Sequence, residues 1–203
     1  RGLGDVYKRQ VIVQYTASMI LLCGTLIVFA QLNYMHRQSL GVKTDQILVI
    51  KFPGPTEGMK TKMEAMRKAI RKLPLASKVT CSGAVPGEEV AMFLSNHRAH
   101  DALKQNRLYE MLSCDPDYID AYGLEVVAGR GFSEEYGDDV NKLVINETAA
   151  RMLGYMDNDD AIGEEIAVET VGEPMQVIGV VKDYHQQALN KGYTCLLYTS
   201  PSP

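Results

Sequence analysis

The chain has 203 residues, 46% of them hydrophobic, with no tryptophan and a formal charge of −4. A mild acidic excess without basic clusters argues against nucleic-acid binding and against docking onto anionic lipid head groups. The length allows one domain with its own core, built at most from two small lobes.

Both ends read as foreign to the protein. Residues 1–10, RGLGDVYKRQ, can be written as CGT GGG CTC GGA GAT GTG TAT AAG AGA CAG, and residues 195–203, CLLYTSPSP, as TGT CTC TTA TAC ACA TCT CCG AGC CCA. The second string is the reverse complement of the first, and both look like the transposase adapter used to fragment DNA. The expected native segment is therefore 11–194. Setting aside Arg1, Lys8, Arg9 and Asp5 moves the charge from −4 to −6, and membrane orientation cannot be taken from those basic residues. Three cysteines then remain, Cys23, Cys81 and Cys114, at spacings that suit neither zinc nor a CxxC redox motif. Cys81 and Cys114 could pair under oxidising conditions, but two small buried thiols are the favoured reading.

Val11 to Leu32 carries no charge and, as a helix, reaches about 33 Å, enough to cross a bilayer core of about 30 Å. Nothing breaks the helix before Gly41, and Tyr34 and His36 suit an interfacial collar. Gln14, Thr16, Ser18 and Thr25 either face a neighbouring helix or are the few polar groups a lone anchor tolerates. Residues 11–40 are thus a transmembrane helix and stalk, and residues 41–194 a separate polar, turn-rich domain.

In that domain Gln46–Phe52, QILVIKF, predicts a buried strand ended by Pro53-Gly54-Pro55. Thr56 opens a helix to about Lys72, whose Met59, Met63, Met66, Ile70 and Leu73 recur at helical spacing and read as core rather than a soft-metal or peptide surface. A strand over 78–82 completes a βαβ unit. Strands over 92–99 and 107–114 flank a polar turn at 100–106. A short helix over 116–122, a strand over 124–127 and a turn at Gly129-Arg130-Gly131 come next, then an acidic loop over 134–141. The pattern closes with a strand at 142–145, a helix at 147–153 and strands at 162–168 and 175–181. The fold class is α+β: one N-terminal transmembrane helix, then a mixed α/β domain with βαβ-like halves.

Catalytic patterns are scarce. His97 and His100 have H-x-x-H spacing without a third ligand nearby. Asp115, Asp117 and Asp120 cluster at a helix start, where capping and the helix dipole explain them better than calcium does. Glu88-Glu89 and Glu134-Glu135 read as solvated loop charges, and His185 as a packing or surface histidine. Asn146-Glu147-Thr148 matches a glycosylation acceptor but reads as the start of a helix. With neither a P-loop nor a nucleophile elbow, no catalytic, cofactor-binding or metal-ligating residue is assigned.

Several segments in order resemble the MacB-like, FtsX-type permease subunits of bacterial ABC transporters. They are QLNYMHRQSLG running into KTDQILVI, then DPDYIDAYGLEVVAGRGFS, VINETAARMLG with AIGEEI, and MQVIGVVKDYH. The resemblance implies a periplasmic core domain on an inner-membrane helix, non-catalytic, with three further membrane helices after it. ATP would sit on a partner, a cytoplasmic ABC ATPase. Other implied partners are a second permease half or a homodimeric copy, a periplasmic adaptor and the lipid bilayer. Nucleotide-driven closure would reach the domain through the stalk at Gln31–Gly41 and drive export or mechanotransmission. The alternatives are the periplasmic sensor domain of a membrane-bound signalling protein and, least favoured, an anchored enzyme. More membrane helices after Thr194 would mark a permease, whereas one helix and a signalling coiled coil there would mark a sensor.

Overall fold

A computed structural model describes residues 2–52, 59–100, 106–133, 139–168 and 172–200. It divides into two units, residues 1–39 and 40–203.

The first unit is one helix, α1 (Gly2–Arg37). Its stretch Gly4–Met35 is long and apolar enough to cross a membrane, and none of it is buried. Thr16 and Thr25 donate their hydroxyls to the carbonyls of Ile12 and Leu21, both at 2.8 Å. Those polar spots are satisfied within the helix itself, so they call for no partner helix.

Among the described residues the second unit has seven strands: β1 (Phe93–Arg98), β2 (Arg107–Ser113), β3 (Val126–Gly129), β4 (Lys142–Asn146), β5 (Glu165–Val168), β6 (Met175–Val181) and β7 (Leu196–Thr199). They form one sheet in the order β3-β6-β4-β7-β2-β1-β5. β5 also pairs with the start of β6 at Glu165–Ile166, while β3 takes the end of that edge, so the sheet curls back on itself. β4 and β6 run parallel across α4 (Glu147–Leu153), a true βαβ-like half.

Alternation along β4 divides the core. Leu143 and Ile145 face one side with Val177, Ile166, Leu197 and the Ala149, Ala150 and Leu153 face of α4. Val144 faces the other with Leu112, Leu196, Tyr198, Tyr184 and the short helix α3 (Tyr118–Ala121). A strand buried on both faces reads as a continuous apolar run, which is why LVI and VIGVV are legible as strands. Where β3 crosses β6 the backbones touch: a Cβ on Gly179 would lie 2.0 Å from the Arg130 carbonyl oxygen, so only glycine fits.

The predicted first half departs from this. Gln46 lies in a turn with φ +62°, residues 47–52 enter no strand, and Leu48 is 83% exposed. The predicted partner at 78–82 contributes a single bridge, Ser82 to Cys114. Between them α2 (Met59–Arg71) forms as expected, yet Met63, Met66 and Ile70 are only half-buried and Leu73 is exposed. An apolar run becomes a strand only if a sheet edge accepts its N–H and C=O groups, and among the described residues none does. Pro53-Gly54-Pro55, Thr56, Glu134-Glu135 and most of the 100–106 turn lie outside the described residues. β3 starts two residues later than predicted, and β5 starts at Glu165 because a 3-10 turn at Asp159–Ala161 comes first.

Candidate functional site

The first residues of the domain are stitched to its core. The Leu40 carbonyl accepts the His185 N–H at 2.9 Å, and the Lys43 N–H donates to the Tyr122 carbonyl at 2.9 Å. Between them Gly41 has φ +80°, and a Cβ there would lie 2.9 Å from the Cβ of Tyr184. Glycine is required twice over at this position, by the left-handed backbone and by the close approach.

The receiving loop is Lys182–Gln186, which leaves the end of β6. Asp183 accepts from the Thr148 N–H (2.9 Å) and hydroxyl (2.7 Å), from Asn146 Nδ2 (2.8 Å) and from Arg151 (2.6 Å). Its own N–H donates to Glu147 at 3.1 Å, which fastens the loop to the start of α4. Tyr184 is buried beside Tyr118, Tyr122 and Tyr198, and donates its hydroxyl to Gln186 Oε1 at 2.7 Å. Burial raises the Tyr184 hydroxyl far above the ordinary tyrosine range, so it stays a donor at any working pH. The buried Gln186 amide then donates to the carbonyls of Val85 (2.9 Å) and Glu88 (3.0 Å). One short loop thus ties the domain's entry at 40–43 to α4 on one side and to the 85–88 turn on the other.

Sequence reasoning missed this hub. His185, expected as a packing or surface histidine, is half-buried with its ring 4.7 Å from that of Tyr193. The available signal was a run of hydrogen-bonding side chains directly after a fully apolar strand. Asn146 does start α4 as expected: its Oδ1 accepts the Ala149 N–H at 3.0 Å. It is wholly buried, so its side chain is closed to a glycan.

The acidic cluster has a different role from the one predicted. Asp117 sits at the α3 N-cap position without a capping bond and pairs instead with Arg67 (2.6 Å) and Arg71 of α2. Asp120 pairs with Lys78, while Asp115 accepts the Cys81 N–H at 2.9 Å and the Thr80 hydroxyl. These carboxylates fasten the basic face of α2 to the domain. Burial pushes the Asp115 carboxyl up against the opposing pull of Thr80, Cys81 and Arg67. Glu88 and Glu89 are not merely solvated: they pair with Lys51 and Lys191. His100 is exposed and 3.7 Å from Glu165, while His97 is half-buried on β1. Among the described residues no group of three His, Cys, Asp or Glu side chains is placed to hold a metal ion. Cys114 is buried, Cys81 half-buried, and both are free thiols.

Residues 17–198 match the MacB-like periplasmic core domain. The chain belongs to that family. Similar solved structures include the periplasmic region of MacB from Actinobacillus actinomycetemcomitans, 19% identical with a TM-score of 0.48, over 73% of this chain and 62% of that one. Another is the extracellular domain of the noncanonic ABC-type transporter YknZ from Gram-positive bacteria, 17% identical with a TM-score of 0.48, over 68% and 61%. The chain therefore spans about three-fifths of the solved domains it matches. No curated protein matches it. The chain is thus a MacB-like periplasmic core domain preceded by a candidate membrane-spanning helix.

Proposed function

We propose that the chain is part of a non-catalytic permease subunit in the bacterial inner membrane, coupling ATP hydrolysis on a cytoplasmic ABC ATPase to export or mechanotransmission in the periplasm. A second permease half or a homodimeric copy, and a periplasmic adaptor, would complete the assembly, and ATP would bind the ATPase alone. The observation that carries this reading is the short tether. Only Gln38 and Ser39 separate the last residue of α1 from Leu40, whose carbonyl is already bonded to the core loop. Two residues span at most about 7 Å, which supports a reading in which movement of the helix end reaches the segment 40–43 and the 182–186 loop bonded to it.

The test is Tyr34→Pro in the full transporter. The helix loses a backbone hydrogen bond and kinks in its last turns, while the domain itself is untouched. Transport-linked ATPase activity should fall while thermal unfolding of the domain stays unchanged. Unaltered coupling would defeat the reading.

A further inference from the structure

Asn96 is wholly buried, and neither end of its side-chain amide has a hydrogen-bond partner. Such a residue is rare, because an unmet amide gives up its bonds to water and gains nothing in return. The sheet register fixes its surroundings. On β1 it stands directly opposite Arg107 of β2 and Val168 of β5, and Arg98 follows two residues along. The same face carries Leu94, Tyr109, Ile166 and Val168 into the half of the core that holds α4. By alternation the Asn96 amide and the side chains of Arg98 and Arg107 therefore leave the sheet on one side, as close neighbours.

The groups around the amide are mostly donors. The Arg98 guanidinium lies over the Tyr155 ring, 4.5 Å from its centre, and reaches Glu164 only at 3.4 Å, a long ion pair. Arg107 donates to the Met152 carbonyl near the end of α4 at 2.9 Å. Tyr155 itself is buried and its hydroxyl has no partner. Burial raises that hydroxyl above the ordinary tyrosine range, so it stays a donor. Two guanidinium groups against one carboxylate leave positive charge in excess. Both cations are within reach of solvent: the Arg98 side chain is 40% exposed and Arg107 is exposed, while the amide is enclosed.

We propose that Asn96, Arg98, Arg107 and Tyr155 form a binding site for a small carboxylate with a neighbouring amide N–H, the chemistry of a peptide's C-terminal end. The carboxylate takes its bonds from the two guanidinium groups and the Tyr155 hydroxyl, and displaces Glu164 from Arg98. A planar guanidinium matches a carboxylate in geometry as well as in charge. The Asn96 amide offers one acceptor and two donors, so its Oδ1 takes the ligand N–H while its Nδ2 donates to a ligand oxygen. A bare anion would satisfy Nδ2 and leave Oδ1 unmet, which is why the ligand must carry a donor. The inference stands independently of whether the domain transmits motion.

The experiment follows the assigned Asn96 side-chain amide by heteronuclear NMR in the full chain in detergent. N-acetylglycine should shift that signal saturably, with a Kd of about 1 mM, the range open to so small a ligand. Acetate lacks the N–H and N-acetylglycinamide lacks the charge, and each should bind about tenfold more weakly or worse. Arg98→Gln and Arg107→Gln should each weaken N-acetylglycine by about tenfold or more. Both variants should keep their Tm within about 4 °C, since neither side chain is a core group. The proposal is overturned if the signal does not shift saturably, or if either control ligand binds as tightly as N-acetylglycine. It is equally overturned if either arginine variant, still folded, binds as tightly as the parent chain.

Discussion

Residues 142–181 and residues 46–82 carry equally strong patterns and meet opposite fates. Both offer an apolar, β-branched run, then a helix, then a second strand-like run. In the later segment the two runs become β4 and β6, parallel neighbours with α4 across them, and Leu143, Val144, Ile145 and Val177 are wholly buried. In the earlier segment α2 forms, but QILVIKF joins no strand, with Ile47, Leu48, Val49 and Ile50 between 39% and 83% exposed. Pattern supplies a willingness to pair, whereas a strand needs an edge whose hydrogen-bonding groups are still open.

Four substitutions, one in each of these segments and two at the contacts that border them, test how firmly each is held. The largest effect belongs to Gly179→Ala in β6, where the new methyl would meet the Arg130 carbonyl; a loss of about 3 kcal/mol is expected in urea unfolding, at the upper end for overpacking. Loss of stability below about 1 kcal/mol would show that β3 yields easily. Next comes Arg130→Ala. It removes two bonds to the buried Asp139, at 3.0 and 2.8 Å, and should cost about 2 kcal/mol at neutral pH. The Arg130 guanidinium, outweighing burial, holds the Asp139 carboxyl below its ordinary value. Its contribution is therefore complete above the ordinary carboxylate range and is lost as pH falls through the lowered folded value. The deficit of the variant should shrink on acidification, and one constant with pH would place the cost elsewhere.

Gly41→Ala comes third, at about 1–2 kcal/mol, because the left-handed backbone and the contact with Tyr184 both resist a side chain. A silent substitution there would mean that the entry segment is not fixed to the core. The smallest effect is assigned to Leu48→Ser, within about 0.5 kcal/mol, since the side chain is already in solvent. A loss of about 2 kcal/mol or more in thermal unfolding would show that QILVIKF is a working strand after all.

The candidate site was less legible than the fold, and for a physical reason. Asp183, Tyr184, His185 and Gln186 matter because α4, the 85–88 turn and the entry segment converge on them from 32 to 145 positions away, and no local spacing records that. The aspartates at 115–120 illustrate the same limit. Their position before a helix suggests capping, yet three basic side chains arriving from α2 and the segment after it engage all three as ion pairs. By contrast, the Asn146 cap was readable because its partner, Ala149, lies three residues away.

The sequence by itself determined the features that depend on neighbours along the chain. An uncharged run long enough to span a bilayer had to be a helix, the amphipathic stretch at 59–71 had to be a helix as well, and the ordered segments carried the family. Tertiary structure alone decided which strand-like runs found an edge, which turn received the segment after the helix, and that residues 196–199 would stand between β2 and β4. Those outcomes depend on which hydrogen-bonding groups remain unsatisfied once the rest of the sheet has closed, a property of the assembled backbone rather than of any window in the chain.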